Sequence, residues 1–390
     1  MNIIDRFKNQ RVSQFIHLKN RPPKSRQHRV ENCHRLKSSC YHLDAQSLAS
    51  FKYGFGIVLK KKPESRKAYY YNVQTCGSVW TCQVCSSIIS ERRCIQVQDS
   101  IDRWRSMGCE NVVAMITWTT PHYIYQPLSQ VLEIQDKAMR IMKQQPQRGL
   151  YEVYRTTMEK MCSVGAYTGR ELTFGENGWH PHRHDLHFIV RANKSQLKRW
   201  RFSLAVAWAI AFQKAGGIIE DMQSFLFRSV RIDQINDDDG FTRVSKYITT
   251  VEGDTWTLAQ EATKGIVKMG KNGNITPFGM LEAIRKEDDH SRLYSAKFWE
   301  YAQTMKGKRQ FFPTRGLAKF LEVDHKTDEE VMKESKTGNH YAFLTDDQWN
   351  EINALDIRGE VLAQTEHLNE FEFMDELDKL LQAYREDKAV

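Results

Sequence analysis

Three histidines alternate within one short segment of the chain, at positions 180, 182 and 184. Successive side chains of a β-strand point to opposite faces, so His180, His182 and His184 would share one face of a strand. Neutral imidazole is a frequent ligand of divalent transition metals, and a bound metal would use the lone pairs that three neighbouring imidazoles present. We call these residues the histidine cluster and predict a metal site there; the alternative is a polar strand that faces solvent.

The segment before the histidine cluster offers a carboxylate ligand. Glu171 lies in a strand-like run, residues 166–174, and the turn sequence GENG joins this run to the histidine strand as a β-hairpin. Because hairpin strands are neighbours, Glu171 is expected to reach the same metal. His187 has the opposite parity and is expected to be structural. His122 follows the first predicted strand, and the sequence leaves its place open.

The cysteines indicate a second metal site. The chain has eight cysteines, and disulfides are rare in the cytosol, where we expect this protein to lie. Cys82 and Cys85 form a Cys-x-x-Cys pair, a spacing found in many tetrahedral zinc sites. We predict a structural zinc ion held by Cys40, Cys76, Cys82 and Cys85, with Cys33 as the alternative to Cys40. The competing interpretation is a group of reduced, buried thiols.

The elements around these residues alternate between strands and helices. Hydrophobic spacing and turn residues predict strands at 111–120, 166–174, 179–190 and 227–235, and helices at 128–144, 194–217 and from 241 to about 251. The resulting order, β-α-β-β-α-β-α, is typical of an α+β domain with an antiparallel sheet. We therefore expect the histidine cluster on a strand of such a sheet.

The formal net charge of +9 conceals an uneven distribution. Residues 321–390 carry 7 lysines and arginines against 19 aspartates and glutamates, which leaves residues 1–320 with a net charge of +21. A basic body of this kind suits a polyanion, and nucleic acid is the commonest one. No apolar run reaches the roughly 18 residues of a spanning helix, and the N-terminus lacks the apolar stretch of a signal peptide, so we expect a cytoplasmic protein that does not bind membranes.

Composition divides the chain into four predicted regions. Residues 1–32 form a basic arm that is expected to be flexible, and residues 33–100 hold the Cys-rich zinc module. Residues 105–320 hold the α+β domain with the histidine cluster. Residues 321–390 form an acidic C-terminal tail with helical patches.

Three ordered motifs resemble the replication initiators of bacterial rolling-circle plasmids, within the HUH endonuclease superfamily. The first is MITWTTP at 115–121, the second is ELTFGENGWHPHRH at 171–184, and the third is VSKYITT at 244–250. With its flanking pieces the similarity covers residues 33–318. The resemblance implies an antiparallel-sheet nuclease domain of the ferredoxin or RRM-like kind.

The resemblance also implies a nuclease that initiates plasmid replication. Tyr247 in the third motif would attack the scissile phosphate of origin DNA, form a covalent 5′-phosphotyrosine and release a 3′-OH primer; the strand would later be rejoined. The histidine cluster and Glu171 would hold a catalytic Mg²⁺ or Mn²⁺, and imidazole-rich ligation favours Mn²⁺. Lys246 would stabilise phosphate charge or contact the DNA backbone. A host helicase and polymerase would be the partners.

Three residues are predicted to contact DNA. Arg183 and Arg243 are cations close in sequence to the histidine cluster and to the tyrosine, and Trp179 would stack on an unpaired base or anchor the core. Both arginines also depart from the family pattern. Arg183 stands where the family usually has a hydrophobic residue, and Arg243 stands where some relatives have a glutamate that activates water. Thr250 stands where a lysine often follows the tyrosine.

Two further functions fit the same motifs. A single tyrosine also occurs in transposases and relaxases of this superfamily, which share the chemistry. A non-catalytic regulator could bind the origin through the zinc module and the basic body. That regulator would form no covalent product with DNA, and Tyr247→Phe would leave its function unchanged.

Overall fold

The computed structural model describes residues 57–61, 68–71, 73, 75–143, 148–236, 238–249, 274–285, 289–328, 330–331, 339–355 and 357–388 of the 390-residue chain. In chain order its elements are β1 (Ile57–Lys61), β2 (Ala68–Tyr71), α1 (Gln83–Ser106), β3 (Asn111–Thr119), α2 (Leu128–Lys143), α3 (Arg148–Lys160), β4 (Gly165–Gly175), β5 (Gly178–Val190), α4 (Lys194–Lys214), α5 (Met222–Arg228), β6 (Val230–Ile235), α6 (Asp238–Thr249), α7 (Pro277–Arg285), α8 (Ser291–Thr304), β7 (Phe311–Pro313), α9 (Leu317–Phe320), β8 (Asn339–Leu344), α10 (Asp346–Leu355), α11 (Arg358–His367) and α12 (Glu370–Lys388).

The larger sheet has five strands in the order β6-β3-β5-β4-β7. All of its neighbouring strands run antiparallel. The prediction of an α+β protein with an antiparallel sheet is therefore confirmed. The histidine strand, β5, lies in the middle of the sheet, where hydrogen bonds on both edges hold its register.

The predicted hairpin joins β4 and β5 through a two-residue turn at Glu176 and Asn177, with Gly175 paired to Gly178. Gly178 has a φ of +91°, which a residue with a Cβ atom rarely adopts. A Cβ atom there would also lie 3.0 Å from the backbone at Ile124. Glycine at this position thus satisfies both the turn and a close approach by the loop after β3.

Both faces of the larger sheet are covered, which explains why β3 is almost continuously apolar. Ala114, Ile116 and Trp118 pack with helices α2, α3 and α4 on one face. On the other face, Val113 and its neighbours pack with α1, α6 and α9. The histidine cluster has the parity of this second face and occupies the end of it that lies nearest the hairpin turn.

The smaller sheet combines the two ends of the described chain. Its strand order is β2-β1-β8, so β8 from the acidic region pairs with β1. Helices α10, α11 and α12 supply Trp349, Val361 and Phe373 to its core. A two-stranded ribbon is marginal in water, and the third strand and the helices complete its core.

This sheet corrects two of the predicted regions. Helices α10, α11 and α12 form within residues 321–390 as expected, but together with β8 they are a packed part of the fold and not a tail. Residues 33–100 are not one module, because β1 and β2 belong to the smaller sheet whereas α1 packs on the larger one. Composition reports charge and local pattern, and it contains no signal for pairing between strands so far apart in sequence.

One predicted strand begins later than expected. Residues 222–228 form helix α5, and β6 starts only at Val230. Asp221 caps this helix, because its carboxylate accepts hydrogen bonds from the backbone N–H groups of Gln223 and Ser224 at 3.0 and 3.1 Å. Among the described helices, we find none with both the length and the apolar character needed to cross a membrane.

Candidate functional site

The histidine cluster is held in place by threonines on the neighbouring strand. Thr117 and Thr119 of β3 stand opposite His184 and His182 of β5. Their Oγ1 atoms lie 3.0 Å from His184 Nδ1 and 3.2 Å from His182 Nδ1. At His182, a hydroxyl that accepts from Nδ1–H leaves the lone pair on Nε2, which is how polar groups around metal sites orient imidazole ligands. The first motif thus contributes orienting hydroxyl groups.

Glu171 lies where the hairpin prediction put it. It stands directly opposite His182 in the register of β4 and β5. Its Oε2 atom is 3.0 Å from Nε2 of His184. In this contact Nε2–H of His184 donates to the carboxylate, so a metal ion would have to replace that proton before Glu171 and His184 could share one ligand shell.

His122 lies beside the histidine cluster, a placement that the sequence had left open. Its ring centroid lies 4.4 Å from that of His180, and the centroids of His180 and His182 are 4.2 Å apart. His182 and His184 are 5.8 Å apart by the same measure. Four imidazoles thus line one end of this sheet face.

Burial keeps much of this group neutral. Burial, with the neighbouring His180, lowers the pKa of His182 to about 3. Burial, with the neighbouring His122, lowers the pKa of His180 to about 4. At neutral pH these imidazoles therefore carry lone pairs rather than protons, which is the state that binds a metal.

The side chains of this group are of the types that bind divalent metals, but their ligand atoms do not converge on one point. Within the described part of the chain, Nε2 of His180 is buried and has no hydrogen-bond partner, and such an atom is costly unless something occupies its lone pair. No three ligand atoms of this group meet within 4.8 Å among the residues that the structure describes. Binding would therefore require a rotation of side chains, for example of His184 away from its bond to Glu171.

His187 is a buried structural residue, as predicted. It is buried on the opposite face, where Oγ of Ser163 lies 2.8 Å from its Nδ1 atom. Burial lowers the pKa of His187 to about 4, so it too is neutral at pH 7.

Helix α6 carries the third motif as far as Thr249. Phe241 and Ile248 are buried in the core that α6 shares with the sheet. Tyr247 immediately precedes Ile248 in this helix, and Lys246 and Arg243 lie in the same helix. The side chains of Arg243, Lys246 and Tyr247 lie outside the described part of the structure. The predicted helical position of the tyrosine is thus borne out, and its role stays a prediction.

The backbone of α6 contacts β4, the strand next to β5, at Gly169. Gly169 of β4 stands opposite His184 of β5. A Cβ atom at Gly169 would lie only 2.5 Å from the carbonyl oxygen of Ile248. The helix backbone therefore touches β4 one residue from Tyr247 and one strand from His184. The sequence signal was available, because a glycine inside a strand often marks a close approach of another backbone.

Two of the predicted DNA contacts are corrected. Arg183 is buried on the opposite face from the histidine cluster, and its Nε atom donates to Oδ1 of Asp185 at 3.1 Å. Trp179 is 0% exposed and packs against Phe174 and Tyr301, with ring centroids 5.2 and 6.1 Å away. Neither side chain is accessible to DNA, and Trp179 takes the core-anchor role that the sequence had left as its alternative.

The second candidate site is a cluster of three thiols. The sulfur atoms of Cys76, Cys82 and Cys85 all lie within 4.8 Å of one another, and those of Cys76 and Cys85 are 3.6 Å apart. Zinc–sulfur bonds of about 2.3 Å in a tetrahedron require sulfur atoms about 3.8 Å apart, so this group could hold a metal such as zinc. Cys40 and Cys33, the predicted fourth ligands, lie outside the described residues.

The position of the thiol cluster suits thiolates. Cys82 is the N-cap residue of the 24-residue helix α1, and Cys85 lies in its first turn. The N-terminus of a helix carries partial positive charge and stabilises negative groups. Both side chains are buried in a core that also contains Trp179 and Leu172 of the hairpin. The thiol cluster therefore shares a core with hairpin side chains that point away from the histidine cluster.

Known proteins add no assignment to this geometry. Neither a family model, nor a curated protein, nor a solved structure matches the chain. The histidine cluster with Glu171 and the thiol cluster are thus the two candidate metal sites from which its function is argued.

Proposed function

We propose that this protein is a metal-dependent, site-specific DNA nickase of the HUH type that initiates rolling-circle replication of a plasmid. Tyr247 is the proposed nucleophile, and the histidine cluster with Glu171 is the proposed site of a catalytic Mg²⁺ or Mn²⁺ ion. The net charge of +21 on residues 1–320 suits a DNA substrate.

The topology of the larger sheet supports an HUH-type domain. Apart from two additional helices, α3 and α5, the chain order β3-α2-β4-β5-α4-β6 and the sheet order β6-β3-β5-β4 match a ferredoxin-like β-α-β-β-α-β arrangement. In this arrangement the two inner strands are β3 and β5. They carry the first motif and the histidines, so residues from distant parts of the sequence become neighbours.

The observation that carries the proposal is the contact between α6 and β4. The carbonyl group of Ile248 packs against Gly169, which stands opposite His184. The residue before Ile248 is Tyr247. A nucleophile next to a metal site is the arrangement that in-line attack on a bound phosphate requires.

The proposed reaction uses few protein groups. Oη of Tyr247 attacks the phosphorus atom, its proton passes to solvent, and the bond from phosphorus to the 3′-oxygen breaks. The departing 3′-oxygen takes a proton and becomes the primer end. When bound, a divalent cation supplies neutralisation of the phosphate charge. Lys246 is proposed to stabilise the same charge, and attack by a later 3′-OH on the phosphotyrosine restores Tyr247 and rejoins the strand.

Replacing Tyr247 by phenylalanine should abolish covalent attachment to DNA. The wild-type protein should form an adduct with labelled single-stranded origin DNA in Mn²⁺ and none in EDTA, because attack needs both the phenol and the metal. Denaturing gels separate the adduct from free DNA, and mass spectrometry of the digested adduct identifies the modified tyrosine. Tyr151→Phe on helix α3 is the matched control and should react like the wild type.

Three outcomes would contradict this assignment. If Tyr247→Phe still forms an adduct, the nucleophile is another tyrosine, and Tyr123 and Tyr125 beside His122 would be tested next. If DNA binds tightly but no candidate origin yields an adduct, the protein is a regulator that binds DNA. If the adduct forms on transposon ends or a transfer origin instead, the protein is a transposase or a relaxase and not a plasmid initiator.

We also propose that the thiol cluster binds a structural zinc ion, with Cys40 as its fourth ligand. The purified protein should contain about one zinc ion per chain. Cys82→Ser should lose this zinc and unfold at a lower temperature, because the zinc ion would no longer hold the three remaining sulfur atoms together. Elemental analysis and thermal melting measure both effects, and Cys109→Ser, at an exposed cysteine, is the control. Zinc retained by Cys82→Ser would contradict the site, and comparison of Cys40→Ser with Cys33→Ser identifies the fourth ligand.

A further inference from the structure

The loop that follows β3 presents a pair of stacked tyrosines to solvent. The rings of Tyr123 and Tyr125 are nearly parallel, with an interplanar angle of 10° and centroids 5.5 Å apart. Tyr125 is 72% exposed, and the neighbouring Ile124 is 57% exposed. Large aromatic surface is seldom left in water in this way, so its exposure calls for an explanation.

Two hydrogen bonds and one close backbone contact hold the loop. The backbone N–H of Tyr123 donates to Oε1 of Gln126 at 3.0 Å, and the N–H of Gln126 donates back to the carbonyl oxygen of Tyr123 at 2.9 Å. The loop backbone also packs against Gly178 of the hairpin turn, as the absence of room for a Cβ atom there shows. The loop that bears the tyrosine pair is therefore held against the hairpin turn that leads into β5.

The same loop touches the candidate active site. His122 immediately precedes Tyr123, and its ring packs on that of His180. A polymer that lies on the tyrosine pair would reach the histidine cluster within a few residues or nucleotides. No part of the proposed reaction uses these tyrosines.

The edge strand β6 bears an exposed cation on the sheet face that carries the histidine cluster. Arg231 stands opposite Thr117, which in turn stands opposite His184, so all three share one sheet face. The Arg231 side chain is 75% exposed and forms an ion pair with Asp233. Glu220 lies against Tyr123, and its hydrogen bond contributes to a raised pKa of that phenol after the larger effect of burial.

We propose that Tyr125, backed by Tyr123, is a stacking platform for an unpaired base of single-stranded DNA on its way to the histidine cluster, with Arg231 contacting the phosphate backbone. Every base has a flat apolar face, so exposed aromatic rings bind single strands with little sequence preference. A duplex offers no such face along its length. The inference rests on the proposed function in that the strand leads to the metal site, and it is tested by binding rather than by cleavage.

The test measures the affinity of the full-length Tyr247→Phe protein in EDTA for a fluorescent oligothymidylate of about 16 nucleotides. Tyr125→Ala should raise Kd by roughly fivefold or more, whereas Tyr125→Phe, which keeps the ring, should bind like its parent. Phe371→Ala, at an exposed aromatic on α12, is the control and should change nothing. Arg231→Gln should reduce the slope of log Kd against log salt by about one ion.

An oligonucleotide with abasic sites separates stacking from other effects. It should bind the parent protein more weakly and should no longer distinguish Tyr125→Ala from the parent. The platform is overturned if Tyr125→Ala binds oligothymidylate normally, if its defect persists with the abasic strand, or if duplex DNA shows the same defect. Because neither metal nor the nucleophile takes part, the proposed function can fail while the platform stands, and the reverse also holds.

Discussion

Replacing Gly169 by alanine should reduce adduct formation by about 100-fold or more, because misplacing a nucleophile by about an ångström has that effect. The new Cβ atom would lie 2.5 Å from the carbonyl oxygen of Ile248 and 2.9 Å from its Cγ1 atom. Real Cβ atoms do not approach a backbone oxygen so closely, so either β4 or α6 must move.

The helix is the element expected to move. β4 is hydrogen-bonded on both sides at this point, since Gly169 pairs with His184 of β5 and with Phe311 of β7. The described contacts of helix α6 are side-chain packing and a hydrogen bond from Ser245 Oγ to Oε1 of Gln98 at 3.2 Å. A displacement of α6 carries Tyr247 away from the strand that bears the histidines.

The measurement is the rate of adduct formation in Mn²⁺, made well below the melting temperature of each variant. Gly149→Ala is the matched control, because no heavy atom of the described residues lies within 4 Å of a Cβ atom there, and its rate should equal that of the wild type. Binding of single-stranded DNA should survive in Gly169→Ala. A variant that folds and reacts at the wild-type rate would separate α6 from the chemistry and remove the main support for Tyr247.

Alternation along single strands was enough to predict the histidine face. Parity placed the histidine cluster on one side of β5 and His187 on the other, and the turn signal placed Glu171 beside His182. These relations follow from covalent geometry within a hairpin and need no knowledge of the rest of the fold. The Cys-x-x-Cys spacing was equally local, and its two sulfur atoms meet that of Cys76.

What failed was the assignment of partners from other parts of the chain. Arg183 was predicted to contact DNA because a charged residue beside histidines suggests a phosphate, yet parity also pointed it at the opposite face, where Asp185 lies two residues away. Trp179 stands beside a turn, and only the packing of α8 shows that it is covered by Tyr301. The pairing of β1 with β8 likewise depends on contacts between the two ends of the described chain.

The Arg183–Asp185 pair explains how a charged residue replaces the hydrophobic one that the resemblance led us to expect. Asp185 is 0% exposed, and its carboxylate accepts hydrogen bonds from Trp118, Lys143, Thr168 and Arg183 at 3.0, 3.0, 2.5 and 3.1 Å. Burial alone would raise the pKa of Asp185, but the charges of Arg183 and Lys143 hold it well below its usual range. The arginine is thus neutralised inside the fold.

Replacing Asp185 by asparagine should lower the free energy of unfolding by about 3–5 kcal/mol, the usual effect of removing one partner from a buried ion pair. Arg183 and Lys143 would keep their charges and lose the carboxylate between them, and the amide NH₂ would face another donor. Urea unfolding at neutral pH measures the change. Glu159→Gln makes the same chemical change in an exposed ion pair on α3 and should leave the stability unaltered.

Asp185→Asn should also disturb the candidate active site. The four hydrogen-bond donors to Asp185 connect β3, β4, β5 and α2 on the sheet face opposite the histidine cluster. Trp118 lies between Thr117 and Thr119 of β3, Thr168 precedes Gly169 of β4, and Arg183 and Asp185 flank His184. If Asp185→Asn proves as stable as the wild type, the buried charges must be compensated by water or by a shifted side chain. In that case the hydrogen bonds on the far face of the sheet do not hold the histidines in place, and the threonines of β3 must do so alone.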